Sequence, residues 1–312
     1  MLQMNSSRLC RYLTTGSSLW QSSSKSLLEK LRKKTGYTFV NCKKALELHD
    51  NDLGKAELWL KQQAQALGWS KAEKLKGRST SQGLVAVMVN NNHGALVEIN
   101  CETDFVARNK TFHGLAETVV TAIVKYSSDL TVTDDVNKII LDAEMLKGIS
   151  TGDGKNLADH VALTIGSIGE NIFIKRALCM NVNKDLQLVG CTHPTPVNSL
   201  PVSFGKYGAL LAFKSSPTNK LLGIQLCQHI IGMNPCKIGQ PDVDEPKPNA
   251  DDESTLIYQE YLLDPNIIVQ QALLAAQAQV IDFARFEVGE KVDSHDTDSE
   301  AQIEPQPIKT CG

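Results

Sequence analysis

Apolar residues recur every three or four positions between residues 26 and 67, and this spacing predicts three short helices. The first helix begins at Ser26, its predicted N-cap, and ends at Gly36. The second runs from Asn41 to His49, and the third follows Asp52, which we expect to cap it. Three amphipathic helices so close together predict a small helical bundle.

From residue 82 the pattern is that of an α+β region. Residues 83–89 and 95–99 are predicted strands joined by a turn, and a helix from about Lys110 to Tyr126 carries an apolar stripe. Residues 100–109 connect the second strand to this helix.

The same order of elements recurs further along the chain. Predicted strands cover 172–180, 186–191 and 209–213, and a helix with Leu222 and Ile230 on its inner face follows. The tetrapeptide that starts at Gly94 aligns with the one that starts at Gly208. We therefore predict two related α+β subdomains. The loops that follow the aligned strands differ, so we expect function in the first of them.

Periodicity and composition together divide the chain into six segments and predict an α+β fold class. They are a leader (1–25), a three-helix module (26–67), a basic connector (68–81), a first core subdomain (82–168), a second core subdomain (169–290) and an acidic, disordered tail (291–312). Within the second subdomain, the Pro- and Asp-rich stretch 239–254 is predicted to be a flexible connector. A helix over 267–278 and a strand over 280–288 are expected after it.

The leader is rich in Ser, carries Arg8, Arg11 and Lys25, and contains no acidic residue before Glu29. This composition is typical of a mitochondrial transit peptide, and it lacks the compact apolar core of a secretory signal. A merely disordered N-terminus is the alternative.

Charge is distributed unevenly, although the net charge is only −3. Residues 25–78 contain 13 Lys and Arg against 6 Asp and Glu, whereas residues 241–312 contain 4 against 16. This polarity argues against a uniformly basic nucleic-acid surface. No stretch reaches the 18 apolar residues that a membrane span needs, so we expect no membrane partner.

Candidate metal sites and catalytic motifs are nearly absent. The eight cysteines are scattered, contain no C-x-x-C pair and are interpreted as buried thiols of a reducing compartment. The grouping of Cys227, His229 and Cys236 fits no zinc pattern, so no metal is expected. Residues 148–156 resemble a phosphate-binding loop but depart from its spacing, and we interpret them as a flexible loop. Cys101 could be a nucleophile, but a buried thiol at a strand end is favoured.

The most informative loop contains Thr103, Asp104, Phe105 and Val106. In the structural interpretation, Thr103 or Asp104 caps the following helix while Phe105 and Val106 hold it to the sheet. Capping does not explain a large aromatic residue beside a carboxylate on a loop. In the functional interpretation, Phe105 is an anchor that enters a pocket of a partner.

Four segments of the chain resemble the elongation factor Ts family and, together with the leader, its mitochondrial form. The segment that resembles the family most specifically is Glu98–Arg108. The three supporting segments are, in chain order, Leu31–Leu46, Gly169–Arg176 and Phe283–Glu290. Leu31–Leu46 departs from the family at Thr38, where a smaller residue is usual, and at Asn41, where bacterial members have Asp.

The resemblance implies a ubiquitin-associated-like three-helix module before a core of two related α+β subdomains. Bacterial members also have a long helical hairpin late in the core, and residues 239–265 are too short for one. The acidic tail stands where bacterial members have a C-terminal helix.

The resemblance also implies the function: a non-covalent guanine-nucleotide exchange factor for elongation factor Tu, without cofactor or catalytic residues. Asp104 and Phe105, within the segment Thr103–Val106, would enter near the Mg²⁺ site of Tu and disturb the groups that hold GDP. Further candidate contacts are Lys43, Lys44, Arg108 and His229. Lys43 and Lys44 could equally be a solvated helix face, and His229 is more often a packed core residue.

With the leader, the resemblance places the protein in the mitochondrial matrix, in a heterodimer or larger complex with mitochondrial Tu. Two other classes remain open. A ubiquitin-binding scaffold would use the three-helix module but would leave the leader and residues 103–106 unexplained. A nucleic-acid-binding protein would use the basic span 25–78, which lacks interleaved exposed aromatic residues.

Overall fold

The structure, a computed structural model, describes residues 19–35, 37, 39–130, 134–195 and 201–290. Most of the predicted leader and all of the predicted tail (291–312) lie outside the described residues. The helices are α1 (Leu19–Thr35), α2 (Phe39–Leu48), α3 (Leu53–Leu75), α4 (Asp104–Ala107), α5 (Lys110–Ser128), α6 (Ala143–Lys147), α7 (Leu157–Ile168), α8 (Lys220–Met233) and α9 (Val269–Ala275). The strands are β1 (Gln82–Asn90), β2 (His93–Cys101), β3 (Val136–Leu141), β4 (Ile172–Val182), β5 (Gln187–His193), β6 (Val202–Gly205), β7 (Tyr207–Ser215), β8 (Glu260–Tyr261), β9 (Asp264–Ile268) and β10 (Ala278–Glu287). No helix in these ranges is both long and apolar enough to cross a membrane.

Helices α1, α2 and α3 surround a small core of their own. Asp52 caps α3 as predicted, because its carboxylate accepts hydrogen bonds from the amides of Gly54 (2.9 Å) and Lys55 (3.0 Å). Ser26 is not an N-cap, because α1 begins at Leu19 and no Gly or Pro interrupts the residues between them. The buried residues of this core are Leu31, Cys42, Ala45, Leu46, Ala56 and Leu60.

Helix α3 continues through most of the segment that was predicted to be a basic connector (68–81). It continues to Leu75, and its second half packs against α7, where small residues permit close contact. A Cβ atom on Gly68 would lie 2.3 Å from the carbonyl oxygen of Ala162, and one on Gly166 would lie 3.0 Å from the Cα of Gly68. Only residues 76–81 leave the helix, so α3 ties the N-terminal helices to the core.

Two antiparallel sheets form the core, one with the strand order β3-β4-β2-β1-β6 and one with the order β10-β7-β5. The predicted boundary between the subdomains, at residue 169, is wrong, because β4 pairs with β2 and β3 of the first sheet. Strand β6 also pairs with β1. The partner of a strand is set by tertiary packing rather than by its local pattern.

The repeated order of elements survives this correction. Strand β2 has β1 and β4 as neighbours and leads to α5, just as β7 has β5 and β10 as neighbours and leads to α8. The two sheets pack face to face, with α5 and α8 on the outer faces. A Cβ atom on Gly208 would lie 2.6 Å from Val85, so the sheets approach too closely there for a side chain. Side chains between the sheets include Val85, Val87, Leu96 and Met180 from one and Leu188, Leu210, Ala284 and Phe286 from the other.

The stretch 239–254 is irregular, but it is held by defined hydrogen bonds and does not match the prediction of a flexible connector. Glu253 is 8% exposed and accepts from the amides of Lys247 (2.8 Å) and Thr255 (2.7 Å). Residues 239–265 contain two short 3₁₀ turns and no α-helix. The sequence likewise predicts that this stretch is too short for a helical hairpin.

A buried carboxylate connects the last described residues to the first sheet. Glu98 of β2 is fully buried and accepts from Arg176 Nε (2.8 Å), Lys175 Nζ (3.2 Å) and the amide of Gly289 (2.8 Å). Arg176 also pairs with Glu290 (2.8 Å). Three of the four segments that carry the family resemblance therefore meet at one ion network.

Candidate functional site

Residues Thr103–Arg108, here called the tip, lie between the end of β2 and the start of α5. Four of them form the single turn of α4, and Asn109 then caps α5 by accepting from the amide of Thr111 (2.8 Å). The tip is therefore a short helical turn between two larger elements.

Two of the four predicted tip residues have structural roles. The Thr103 hydroxyl accepts from the amide of Val106 (3.3 Å), so Thr103 is the N-cap of α4. The helix that Thr103 or Asp104 was predicted to cap is α5, and that cap is Asn109 instead. Val106 is 8% exposed and packs in the core beside α5. Asp104 does not cap the helix but lies in its first turn.

The other two residues face solvent. Phe105 is 81% exposed, the highest value among the large exposed hydrophobic side chains of the described ranges, so it does not hold the following helix, α5, to the sheet as one interpretation predicted. Asp104 forms an ion pair with Arg108 (3.1 Å); the Arg108 side chain is exposed and that of Asp104 is partly exposed. The tip thus presents an aromatic ring beside a carboxylate, on a backbone that its inward-facing residues anchor.

Two glutamates, which the sequence did not single out, hold the tip against the loop between α7 and β4. Glu170 accepts from the amide of Thr103 (3.0 Å) and from its hydroxyl (2.7 Å). Glu102 accepts from the amide of Asn171 (2.7 Å) and pairs with Arg78 (3.5 Å). Each glutamate stands in a segment of the family resemblance, but nothing in the sequence indicates that the two segments meet.

Cys101 is a buried thiol, as favoured above. Its S–H group points at the carbonyl oxygen of Thr103 (3.2 Å). Burial, together with the nearby charge of Glu170, raises the pKa of the Cys101 thiol to about 11. The thiolate that a nucleophilic reaction requires is therefore scarce at neutral pH.

The lysines proposed as further contacts lie on the surface of α2. Lys43 is exposed and 3.7 Å from Glu47, and the Nζ atom of Lys44 is 5.8 Å from the centre of the Trp59 ring. Arg108 is exposed at the tip. No described hydrogen bond or ion pair connects the two lysines with the tip.

His229 belongs to the core of the second sheet and offers no surface to a partner. Its Nδ1 accepts from the amide of Leu262 (3.2 Å), so Nε2 carries the proton and donates to Gln259 (3.0 Å). Burial lowers the pKa of this imidazole. The packed-histidine interpretation therefore replaces the prediction of a contact.

Neither of the other candidate sites forms in the described ranges. Cys227 is buried and directs its S–H group at the carbonyl of Val189, whereas Cys236 is exposed, and no group of three or more His, Cys, Asp or Glu is arranged to hold a metal. In the loop 148–156, the Asp153 carboxylate accepts from the Thr151 hydroxyl (2.6 Å) and from the Lys155 amide (3.2 Å). A carboxylate in this position would repel a phosphate.

Two family models match the chain. The model described as "Elongation factor Ts, mitochondrial, N-terminal" matches residues 10–70, and the model described as "Elongation factor TS" matches residues 102–253. The second match begins at Glu102, directly before the tip.

Full-length relatives match as well. The chain is 51% identical over 296 residues to a protein of Aedes aegypti named "Elongation factor Ts, mitochondrial", covering 93% of this chain and 96% of that protein. Proteins of the same name from Drosophila melanogaster and Homo sapiens are 51% and 42% identical, over 275 and 284 residues. These two matches cover 85% and 88% of this chain and 86% of each of those proteins.

Proposed function

Because the chain belongs to the elongation factor Ts family, we propose that it accelerates GDP release from mitochondrial elongation factor Tu and that the tip disturbs the Mg²⁺ and phosphate site. Members of the family are nucleotide exchange factors of translation elongation. The chain would do this by non-covalent binding, without a catalytic residue or a cofactor of its own.

Exchange requires a difference in affinity. A factor speeds GDP release when it binds the nucleotide-free form of its partner more tightly than the GDP form. GDP is held largely by contacts to its phosphates and Mg²⁺. A group that displaces those contacts and gains contacts of its own provides the difference. Phe105 would supply the contact area, and Asp104 would place a negative charge near the phosphate site.

The observation that carries this proposal is the 81% exposure of Phe105 on an anchored backbone. Burial of a phenylalanine in a partner is worth about 1.5–3 kcal/mol, which corresponds to roughly 10- to 150-fold in affinity. Anchoring of the tip by Thr103 and Val106 means that little backbone freedom is lost on binding.

Further parts of the proposal concern the rest of the chain. We propose that α1–α3 are the ubiquitin-associated-like module of the family and dock on Tu through α2, with Lys43 and Lys44 as contacts. Arg108 would contact Tu beside the tip. Residues 1–25 would be a transit peptide, in agreement with relatives that are named as mitochondrial proteins. The complex would be a heterodimer or a larger assembly in the matrix.

The test is stopped-flow release of a fluorescent GDP from mitochondrial Tu, with and without the full-length chain. We expect acceleration by the wild type and a fall of about 10- to 150-fold in the apparent second-order rate constant for Phe105→Ala. Asp104→Ala should also lower it. Because Phe105 makes no core contact, the thermal midpoint of unfolding should not change for Phe105→Ala.

Leu274→Ala is the matched control, because Leu274 is also a large exposed apolar residue (71%) but lies on α9, far along the chain from the tip. This variant should behave as the wild type. No acceleration by the wild type would overturn the proposal. Gel filtration with Tu, with ubiquitin, and with RNA at two salt concentrations would then distinguish the two other classes of partner.

A further inference from the structure

We propose that Glu170 is a positioning residue for nucleotide exchange: together with Glu102 it holds the tip in the conformation that presents Phe105. The inference rests on the proposed function, which it deepens. Neither glutamate touches the exposed ring, so each would act only through the backbone of the tip.

The contacts of Glu170 converge on one residue. Its two carboxylate oxygens accept from the amide (3.0 Å) and the hydroxyl (2.7 Å) of Thr103, which lies 67 positions earlier in the chain. Gly169 ends α7 in the left-handed conformation (φ 87°), a turn that directs Glu170 out of the helix. Hydrogen bonds to an ionised carboxylate are about twice as strong as neutral ones.

Glu102 makes the reciprocal connection. It accepts from the amide of Asn171 (2.7 Å), and Asn171 in turn donates to the carbonyl of Arg78 (3.1 Å). Each of the two segments, 102–103 and 170–171, therefore supplies one glutamate carboxylate that accepts a hydrogen bond from a backbone amide of the other: Thr103 donates to Glu170, and Asn171 donates to Glu102. We call these four residues the clasp.

The tip requires such support because it cannot stabilise its own conformation. A helix of one turn is unstable by itself, and α4 has four residues. Because Phe105 is exposed, no surrounding core fixes its side chain, and the position from which its ring extends depends on the backbone of the tip. The N-cap hydrogen bond from the Val106 amide to the Thr103 hydroxyl also depends on Glu170, since the same hydroxyl donates to the Glu170 carboxylate.

A purely structural role for the clasp is the competing explanation, and substitutions can separate the two. We expect Glu170→Ala to lower the rate constant of GDP release about 10-fold, because a displaced contact group loses effective orientation. Glu170→Gln should retain most of the activity, since its amide oxygen can accept from the Thr103 amide and its NH₂ group can donate to the hydroxyl.

A double-mutant cycle with Phe105→Ala distinguishes the two explanations. It measures whether the effect of Glu170→Ala on the rate of GDP release depends on the presence of Phe105, and a purely structural role predicts no such dependence. If Glu170 acts through the tip, Glu170→Ala should lower the rate less than about twofold once Phe105 is absent. Equal effects of Glu170→Ala in both backgrounds would overturn the inference.

Asp153→Ala is the matched control for lost hydrogen bonds. Asp153 also accepts from a threonine hydroxyl and a backbone amide, but in the loop 148–156. This variant should not change the rate of GDP release. A loss of activity similar to that of Glu170→Ala would assign both effects to general destabilisation.

Hydrogen exchange of the free full-length chain, followed by mass spectrometry, tests the clasp without Tu. Peptides covering 103–108 should exchange faster in Glu170→Ala, and peptides from the second sheet should not. Unchanged exchange at the tip would overturn the inference while leaving the proposed function intact. A wild type that does not accelerate GDP release would instead overturn the proposed function, whatever the exchange data show.

Discussion

At the scale of single residues, the tip combines residues that anchor its backbone to the core with residues that face solvent. Thr103 and Val106 turn inward, one to cap α4 and one to pack in the core, while Asp104 and Phe105 face solvent. One turn of helix accomplishes this because neighbouring positions point about 100° apart. The structural interpretation therefore accounts for the inward-facing Thr103 and Val106, whereas a role of Asp104 and Phe105 in a partner contact stays a prediction.

His229 is a residue whose role is structural, and its ionisation has consequences for stability. Its imidazole is neutral in the fold, accepts one hydrogen bond, donates another and has a pKa lowered by burial. The unfolded chain binds a proton at this site below about pH 6.5, whereas the folded chain does so only at a lower pH. Stability from His229 is therefore complete above pH 6.5 and is lost as the pH falls below it.

We predict that the stability difference between the wild type and His229→Gln narrows as the pH falls from 7.5 to 5.5. At pH 7.5 the substitution should cost about 1–3 kcal/mol, because it disturbs two buried hydrogen bonds. Urea unfolding of both proteins at a series of pH values measures this difference. The contributions of the other histidines cancel in it, because both proteins contain them. A difference that is constant with pH would show that His229 is not the titrating group.

At the scale of elements, α3 is the connection between the N-terminal helices and the core. Its first half contributes Ala56 and Leu60 to the core of the three-helix module, and its second half packs on α7. The contact depends on Gly68, which has no space for a Cβ atom beside Ala162. A basic surface pattern over 68–78 is compatible with this arrangement, because the lysines remain on the solvent side.

We predict that Gly68→Ala destabilises the protein by about 1–3 kcal/mol, because an added methyl group would collide with the α7 backbone. Without the collision, alanine would stabilise the helix relative to glycine, so a loss of stability indicates that α3 and α7 are in close contact at this position. Gly114→Ala on α5 is the control, since no atom outside the neighbouring backbone of its own helix lies within 4 Å of the added Cβ. It should stabilise by about 0.5–1 kcal/mol in urea unfolding. Stabilisation by both substitutions would contradict the close contact of α3 with α7.

At the scale of the whole molecule, the network around Glu98 connects segments that are distant in the chain. It joins β2 and β4 to Glu287, the last residue of β10, and to Gly289 and Glu290 after it, so it links both sheets. The guanidinium of Arg176 also lies 4.1 Å from the ring centre of Phe286, between the sheets. The end of β10 is held on the side of the molecule where β2 leads toward the tip.

We predict that Glu98→Gln lowers the free energy of unfolding by about 3–5 kcal/mol, because it leaves the charges of Arg176 and Lys175 without their buried counter-charge. Denaturant unfolding of the full-length chain measures the loss. Glu144→Gln is the control: this exposed glutamate pairs with Lys147 on the surface of α6, and its loss should change stability little. A loss at Glu98 as small as that at Glu144 would contradict the prediction.

Most individual elements were predictable from the sequence, and their arrangement was not. Strands β1 and β2, helix α5, the cap at Asp52 and strand β10 follow from local periodicity and capping residues. Helix α7 and strand β3 were missed. The strand at 172–182 was recognised but assigned to the wrong subdomain, because the pattern of a strand does not name its partner.

The sequence by itself determined the family, the α+β class and the position of the tip, because these depend on short stretches of adjacent residues. Tertiary structure alone decided that Phe105 faces solvent while Val106 is buried, that His229 lies in the core, and that Glu170 meets Thr103. Each of these depends on which distant segments the fold brings together. Such proximity arises from the packing of the whole chain and leaves no trace in local periodicity.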